Sequence, residues 1–352
     1  MKRENCMSQD KQDILKLSEK DLKDYFVLKK QPGFRAKQVY SWLHEKLVDS
    51  FDDMTNISKD MREMLKEDFY IEHLELVQRL VSNIDGTEKY LFKLWDGNVI
   101  ESVLMRYKHG NSVCISTQVG CRMGCRFCAS TIDGRARDLT ASEMLKEVYT
   151  IQNISGERVS NIVLMGSGEP MDNFRNVVDF VKQVSSENDL HISQRNITIS
   201  TCGLVEKIRE LADMKLGITL AISLHASDDK IRRELMPIAN KYSIAEILDA
   251  CRYYFEKTGR RVSFEYSLVA SVNDTIEEAD NLASLLKGMN CHVNLIPVNP
   301  IKERDYKRSD KKAVEAFRKH LEKKGINATV RREMGSDIQG ACGQLRKSYL
   351  NG

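Results

Sequence analysis

Up to about residue 70 the apolar positions recur at helical spacing. Ser18-Glu19-Lys20-Asp21 has the form of a capping box, and Pro32-Gly33 interrupts the pattern. Phe34, Val39, Tyr40, Trp42, Leu43 and Leu47 then fall at the spacing of a second helix. Ser58 is placed to cap a third, with Met61, Met64, Leu65 and Phe69 inward. These Met and aromatic stripes read as core. From Leu74 to about Arg106 the period drops towards two. Residues 90–94 and 99–103 flank Trp95-Asp96-Gly97-Asn98, a hairpin signal.

Beyond that point apolar strand patterns alternate with amphipathic helical ones. Strands are expected at residues 113–116, 161–165, 197–201, 218–224, 262–268, 293–296 and 328–332. Helical patterns lie between them, for example at 140–152, 174–184, 244–256 and 312–324. Such alternation implies right-handed βαβ units on a parallel sheet, hence an α/β fold, with a strand count that suggests an open or partial barrel. Polar residues cluster where these strands end: Gly168-Glu169, Ser200-Thr201, Ser223-Leu224-His225 and Asn299. In parallel α/β folds that edge carries the ligand site.

Composition narrows the class. At 352 residues and 41% hydrophobic, the chain can bury a sizeable core without staples. No window approaches 18 apolar residues, and Met1-Lys2-Arg3-Glu4-Asn5 leads into polar sequence, so neither a membrane helix nor a secretory signal is expected. A cytoplasmic, monomeric protein with reduced thiols is the expectation. Nine cysteines, an odd number, argue further against a disulfide framework. The net charge of +3 is unevenly placed: residues 301–352 hold 14 Lys/Arg against 7 Asp/Glu, and residues 101–137 hold 6 against 2. The rest is mildly acidic. Basic character near the cysteines and at the C-terminus suits a polyanion, or is simply a solvated helix face at 311–324.

Three cysteines are packed together in Cys121-Arg122-Met123-Gly124-Cys125-Arg126-Phe127-Cys128, directly after the strand at 113–116. One loop can aim three thiolates at the corners of an iron–sulfur cube, leaving the fourth iron for another ligand. A zinc site would need a fourth Cys or His, and no second Cys-x2-Cys follows.

The Cys-x3-Cys-x2-Cys spacing, with Phe127 before the last Cys, resembles the radical S-adenosylmethionine (SAM) superfamily. Six ordered motifs narrow the resemblance: Cys114-Ile-Ser-Thr-Gln-Val-Gly-Cys121, Met165-Gly-Ser-Gly-Glu-Pro170, Ile222-Ser-Leu-His-Ala226, Arg261-Val-Ser-Phe-Glu-Tyr266, Asn294-Leu-Ile-Pro-Val-Asn-Pro300 and Gly340-Ala-Cys-Gly-Gln-Leu345. Together they are similar to the RlmN family of RNA methyltransferases, which methylate carbon 2 of adenosine, and the likeness covers nearly the whole chain.

The resemblance implies a partial (βα)6-type barrel at residues 107–333, behind an N-terminal helical RNA-binding domain at 1–75 and a β-hairpin connector at 76–106. A tail at 334–352 would carry a methyl-bearing cysteine. It implies one [4Fe-4S] cluster on Cys121, Cys125 and Cys128, and SAM held by Gly168, Glu169, Ser200, Ser223, Leu224, His225 and Asn299. Carbon 2 of adenine is electron-poor and cannot displace the SAM methyl group directly. The family's solution, carried onto this chain, methylates Cys342 first and turns that methyl into a radical that adds to carbon 2. Glu101 would accept the carbon 2 proton, and Cys114 would attack the Cys342 sulfur to release product. The implied partners are 23S rRNA before full ribosome assembly, possible tRNA, and an electron donor such as flavodoxin or ferredoxin.

The chain departs from the family pattern at Ser167, where Met is commoner, at Cys202, where Ser is, and at Val298, where Trp is often found. These concern pocket lining. Pro170 and Glu265 favour carbon 2 over the carbon 8 chemistry of the related Cfr-type enzymes. A metal-containing RNA-binding protein without catalysis is the rival from another class, and would leave Cys114, Cys342 and the Gly-Glu loop without purpose. Cys6, Cys202, Cys251 and Cys291 have no assigned chemistry.

Overall fold

The computed structural model of the chain describes residues 11–301, 304–338 and 340. Three helices open it: α1 (Glu19–Leu28), α2 (Arg35–His44) and α3 (Lys59–Asp68). Ser18 and Asp21 form the reciprocal capping box that starts α1. Ser58 stands at the start of α3, but its side chain makes no capping hydrogen bond. Phe34 also departs from expectation: it precedes α2 and is 61% exposed, with the Arg35 guanidinium over its ring. Leu22, Phe26, Val39, Leu43, Met61, Leu65 and Phe69 bury together as a separate small core.

Ten strands follow in one sheet: β1 (Glu75–Val81), β2 (Glu88–Lys93), β3 (Val99–Tyr107), β4 (Gly110–Cys114), β5 (Val159–Leu164), β6 (Ile197–Thr201), β7 (Thr219–Ser223), β8 (Val262–Leu268), β9 (Cys291–Pro297) and β10 (Ala328–Val330). Their order in the sheet follows the chain, from β10 at one edge to β1 at the other. Strands β4 to β10 pair in parallel and β1 to β4 antiparallel. The hairpin expected as a connector is therefore hydrogen-bonded into the barrel sheet. Seven parallel strands with helices between them make six βα units and a last strand, in keeping with the expected (βα)6-type barrel.

Helices α4 (Ala141–Ser155), α5 (Phe174–Val184), α6 (Val205–Asp213), α7 (Asp229–Leu235), α8 (Ile244–Thr258), α9 (Ile276–Leu286) and α10 (Lys311–Lys323) lie between the later strands. Thr140 and Ser243 start α4 and α8 through capping boxes with Glu143 and Glu246, and left-handed Gly156 and Gly259 end them. The apolar stripes of these helices join the strands' Ile, Val and Leu side chains in the main core. No helix among the described residues is long and apolar enough to cross a membrane.

The two ends of the sheet are not laddered together. Instead, Asp337 accepts hydrogen bonds from Ser82 Oγ at 2.6 Å and Asn83 N at 2.9 Å. Gly335 N donates to Asp85 at 3.0 Å. These contacts bring the segment after β10 onto the β1–β2 turn. On the outside, His44 of α2, Tyr149 of α4 and Asp189 meet in a buried knot that docks the N-terminal helices on the barrel: Tyr149 Oη donates to Asp189 at 2.6 Å and lies 2.9 Å from His44 Nδ1.

Candidate active site

Between β4 and α4 the chain makes a short ribbon, Gln118–Gly120 against Arg135–Asp138, and the cysteine loop grows from its tip. Cys121 N donates to Gly134 O at 3.0 Å, and Thr131 Oγ1 donates to the carbonyls of Cys125 and Cys128 at 3.0 and 2.9 Å. Arg126 N donates to Leu235 O at 2.9 Å, which anchors the loop on the end of α7. Cys121 is buried, and Cys125 and Cys128 are half-buried.

Burial, then the charges of Glu169, Cys128 and Asp172, push the Cys121 thiol up to about 12, against a backbone N–H at Met123. Burial and the other two cysteines also push Cys125 well up. Thiols that hinder each other's ionisation suit a centre that brings positive charge, and soft sulfur donors suit iron. Among the described residues, no group of three or more His, Cys, Asp or Glu is drawn together around a single ion.

The glycine loop after β5 sits against the base of that ribbon. Ser167 O accepts from Thr117 N and Gln118 N at 2.8 and 3.1 Å, and Gly166 N donates to Ile115 O at 2.9 Å. A Cβ on Gly168 would stand 2.6 Å from Gln118 Cβ and 2.7 Å from its nitrogen, at a φ of +109°. Only glycine fits there. The loop turns Glu169 inward, where Cys202 N and Met171 N donate to its two carboxylate oxygens at 2.8 and 2.9 Å. Burial raises its pKa, while the Cys202, Thr201 and Met171 hydrogen bonds oppose the rise.

Ser200, Ser223, His225 and Asn299 stand at the ends of β6, β7 and β9 and line one cavity of about 280 Å³, together with the three cysteines, Gly168, Glu169, Glu101 and Cys114. Leu224 is different: its side chain is fully buried in the core, away from that wall. His225 adopts a left-handed backbone, φ 58°. Its Nδ1 accepts from Ser267 N at 2.9 Å, so Nε2 carries the proton of the neutral ring. Burial, with Arg232 nearby, pushes its pKa down to about 3. Phe127 meets the His225 ring edge-on, centroids 4.8 Å apart, which packs the cysteine loop against the end of β7.

Across the cavity stand Glu101 on β3 and Cys114 at the end of β4. Ser116 Oγ donates to Glu101 O at 2.8 Å and pins that strand. Cys342 lies outside the described residues. Gly340, two positions before it in sequence, lines the same cavity and donates its N–H to Gly335 O at 2.8 Å.

Two buried cations escaped the sequence reading. Lys89 of β2 is 1% exposed, faces the cavity and ion-pairs with Glu101. Its signal was the alternation with Leu91, which puts a lysine on an inward face. Arg232 of α7 is fully buried and donates to the carbonyls of Leu224, Tyr242 and Cys202, at 3.2, 3.2 and 2.7 Å. It laces the ends of β6 and β7 together behind the cysteine loop. Nothing in its local sequence set it apart from Arg233.

The leftover cysteines are explained by packing where they are described. Cys202, Cys251 and Cys291 are buried, and burial raises all three thiols. Cys6 lies outside the described residues. The basic helix α10 carries its own partners: Arg318 pairs with Glu315 and Glu322, and Lys324 and His320 with Asp280. Of the described basic residues after position 301, Arg308, Arg331 and Arg332 line the cavity.

Known proteins resemble the chain over most of its length. Residues 12–71 match the family described as ribosomal RNA large subunit methyltransferase N-terminal domain, and residues 115–286 match the radical SAM superfamily. A probable dual-specificity RNA methyltransferase RlmN of Lachnospira eligens is 63% identical over 338 residues, 96% of this chain and 97% of that protein. The protein of the same name in Clostridium novyi is 58% identical over 337 residues, 96% of this chain and 98% of that protein. The crystal structure of a radical SAM methyltransferase from Sphaerobacter thermophilus superposes with a TM-score of 0.90 at 40% identity, covering 94% of this chain and 98% of that one.

Proposed function

The chain belongs to the RlmN family of radical SAM RNA methyltransferases, and from that premise we propose that it methylates carbon 2 of an adenosine in 23S rRNA, and in tRNA next to the anticodon. One observation carries the reading: residues from eight separate segments, nearly all of them implied by the family resemblance, line one cavity. They run from Glu101 and Cys114 through the cysteine loop and the glycine loop to Ser200, Ser223, His225, Asn299 and Gly340.

In this reading Cys121, Cys125 and Cys128 hold a [4Fe-4S] cluster, and the glycine loop, Ser200, Ser223, His225 and Asn299 hold SAM. The bound cluster and SAM supply one-electron chemistry that the side chains cannot. The chain's own residues do the rest. Glu169 orients the SAM amino group, and the neutral His225 presents an N–H donor without adding charge. Cys342 carries the methyl group, Glu101 takes up the carbon 2 proton, and Cys114 releases the product. Arg308, Arg331 and Arg332 meet the RNA backbone at the mouth. The buried site requires the adenine to be unstacked to enter.

The test is nucleoside mass spectrometry of RNA incubated anaerobically with reconstituted protein, SAM and a flavodoxin or chemical reductant. 2-Methyladenosine is expected, and it should vanish in Cys342→Ala. 8-Methyladenosine would replace this reading with the carbon 8 chemistry. RNA left unmethylated by protein that binds iron and cleaves SAM would overturn it.

A further inference from the structure

Glu101 is 9% exposed, and the two oxygens of its carboxylate have different surroundings. Oε2 lies 3.3 Å from the Lys89 ammonium, itself 1% exposed. Oε1 is buried without a hydrogen-bond partner. Strand pairing explains the arrangement: Leu91 stands opposite Glu101, and Lys89 opposite Val103. Lys89 and Glu101 are thus diagonal neighbours on one face of the β2–β3 pair, and that face lines the cavity. The main-chain oxygen of Glu101 is held by Ser116 Oγ at 2.8 Å, so the carboxylate hangs from a fixed point of β3.

A buried carboxyl without a cation favours its neutral form, and a neutral carboxylic acid cannot accept a proton. An ammonium at ion-pair distance reverses that preference. We propose that Lys89 is a positioning residue for the methylation reaction: it keeps Glu101 ionised inside the cavity and occupies Oε2, so that Oε1 is the oxygen offered to the substrate. This rests on the reading of Glu101 as the proton acceptor. In the step it serves, the carbon 2 hydrogen leaves as a proton, its bonding pair stays with the substrate, and Glu101 becomes the neutral acid beside the Lys89 ammonium. Cys114, Glu169, His225, Glu265 and Arg331 are other titratable or charged groups on the same wall.

Two measurements separate this from a packing role. The first needs neither cofactor nor RNA. In the infrared spectrum of the apoprotein at neutral pH, Lys89→Met should show a protonated-carboxyl band that disappears in Lys89→Met/Glu101→Gln. Wild type and Lys89→Arg should lack the band. The second uses loaded enzyme and RNA deuterated at carbon 2. Lys89→Met should lose about 10²-fold in turnover, the scale of general-base catalysis, with SAM cleavage retained. It should also accumulate the covalent protein–RNA adduct and show a primary isotope effect larger than wild type, and Lys89→Arg should recover most of the rate. Should Lys89→Met fail to fold, Lys89→Gln takes its place in both experiments. A Lys89→Met or Lys89→Gln protein with no new carboxyl band and an unchanged isotope effect would overturn the proposal. Full activity of Glu101→Gln would instead overturn the assignment of Glu101 on which it rests.

Discussion

Cys202 donates its backbone N–H to Glu169 Oε2 at 2.8 Å, joining the end of β6 to the glycine loop. The other oxygen is taken by Met171 N, so both sides of the carboxylate serve as backbone acceptors. Glu169→Gln turns one acceptor into an amide donor that faces an N–H. The mismatch should destabilise the apoprotein by about 1–3 kcal/mol, the cost of a buried unmatched polar group. SAM affinity should fall more in Glu169→Gln than in a Cys202→Ser control. Thermal melts of apoprotein and SAM binding to reconstituted protein check the two parts.

Gly168 and Gly156 both have positive φ but differ in surroundings. A Cβ on Gly156 meets nothing within 4 Å, whereas one on Gly168 meets Gln118 backbone at 2.7 Å. Gly156→Ala should therefore show only the left-handed penalty, about 1 kcal/mol. Gly168→Ala should cost more and displace the glycine loop, abolishing SAM binding even where the protein still folds. Chemical denaturation of both variants, with SAM titrations, tests the contrast.

The seam between the N-terminal helices and the barrel should respond to pH. Burial, then the charges of Glu143 and Asp13, raise Glu72 from an ordinary 4.5 to about 7. The folded state thus holds a proton that the unfolded chain releases. Below pH 4.5 the two states are alike; as pH rises towards 7 stability should fall, by about 3 kcal/mol at most from this group. Glu72→Gln should flatten that slope and raise stability at pH 8. Urea titrations at pH 5 and pH 8 on both proteins check it.

Tyr149→Phe removes the hydroxyl that lies between His44 and Asp189. His44 and Asp189 keep their direct 3.2 Å contact, so losing the hydroxyl should cost about 1 kcal/mol, the net worth of a hydrogen bond. Because His44 belongs to α2, hydrogen exchange should rise across residues 35–44 before it rises in the main sheet. Uniform exchange changes would show that the knot does not control docking of the helices.

Much of this was legible in sequence because the chemistry is local. The cysteine loop is a short segment whose spacing limits what it can hold, the glycine loop was legible through the family resemblance, and the apolar periods of β6, β8 and α5 ended where the folded elements end. What escaped was relational. Lys89 is an ordinary lysine until β2 pairs with β3 and brings it to Glu101. Arg232 is one arginine among several until α7 packs beneath two strand ends. Leu224 is the other case: its neighbours Ser223 and His225 line the cavity, while its own side chain is turned into the core. The hairpin's place in the barrel sheet also depended on a pairing, β3 with β4, that hydrophobic pattern does not report.

Because strands lie in the sheet in the order of synthesis, each can dock on an edge already made as the chain leaves the ribosome. The last wall to form comprises Arg331, Arg332, Glu333, Met334 and Gly340, fastened to the β1–β2 turn by the carboxylates of Asp85 and Asp337 rather than by a ladder. A nascent chain therefore has its cysteine loop assembled while the pocket is still open on that side. Iron–sulfur loading during translation, before this wall arrives, is a route that the order of the strands leaves open.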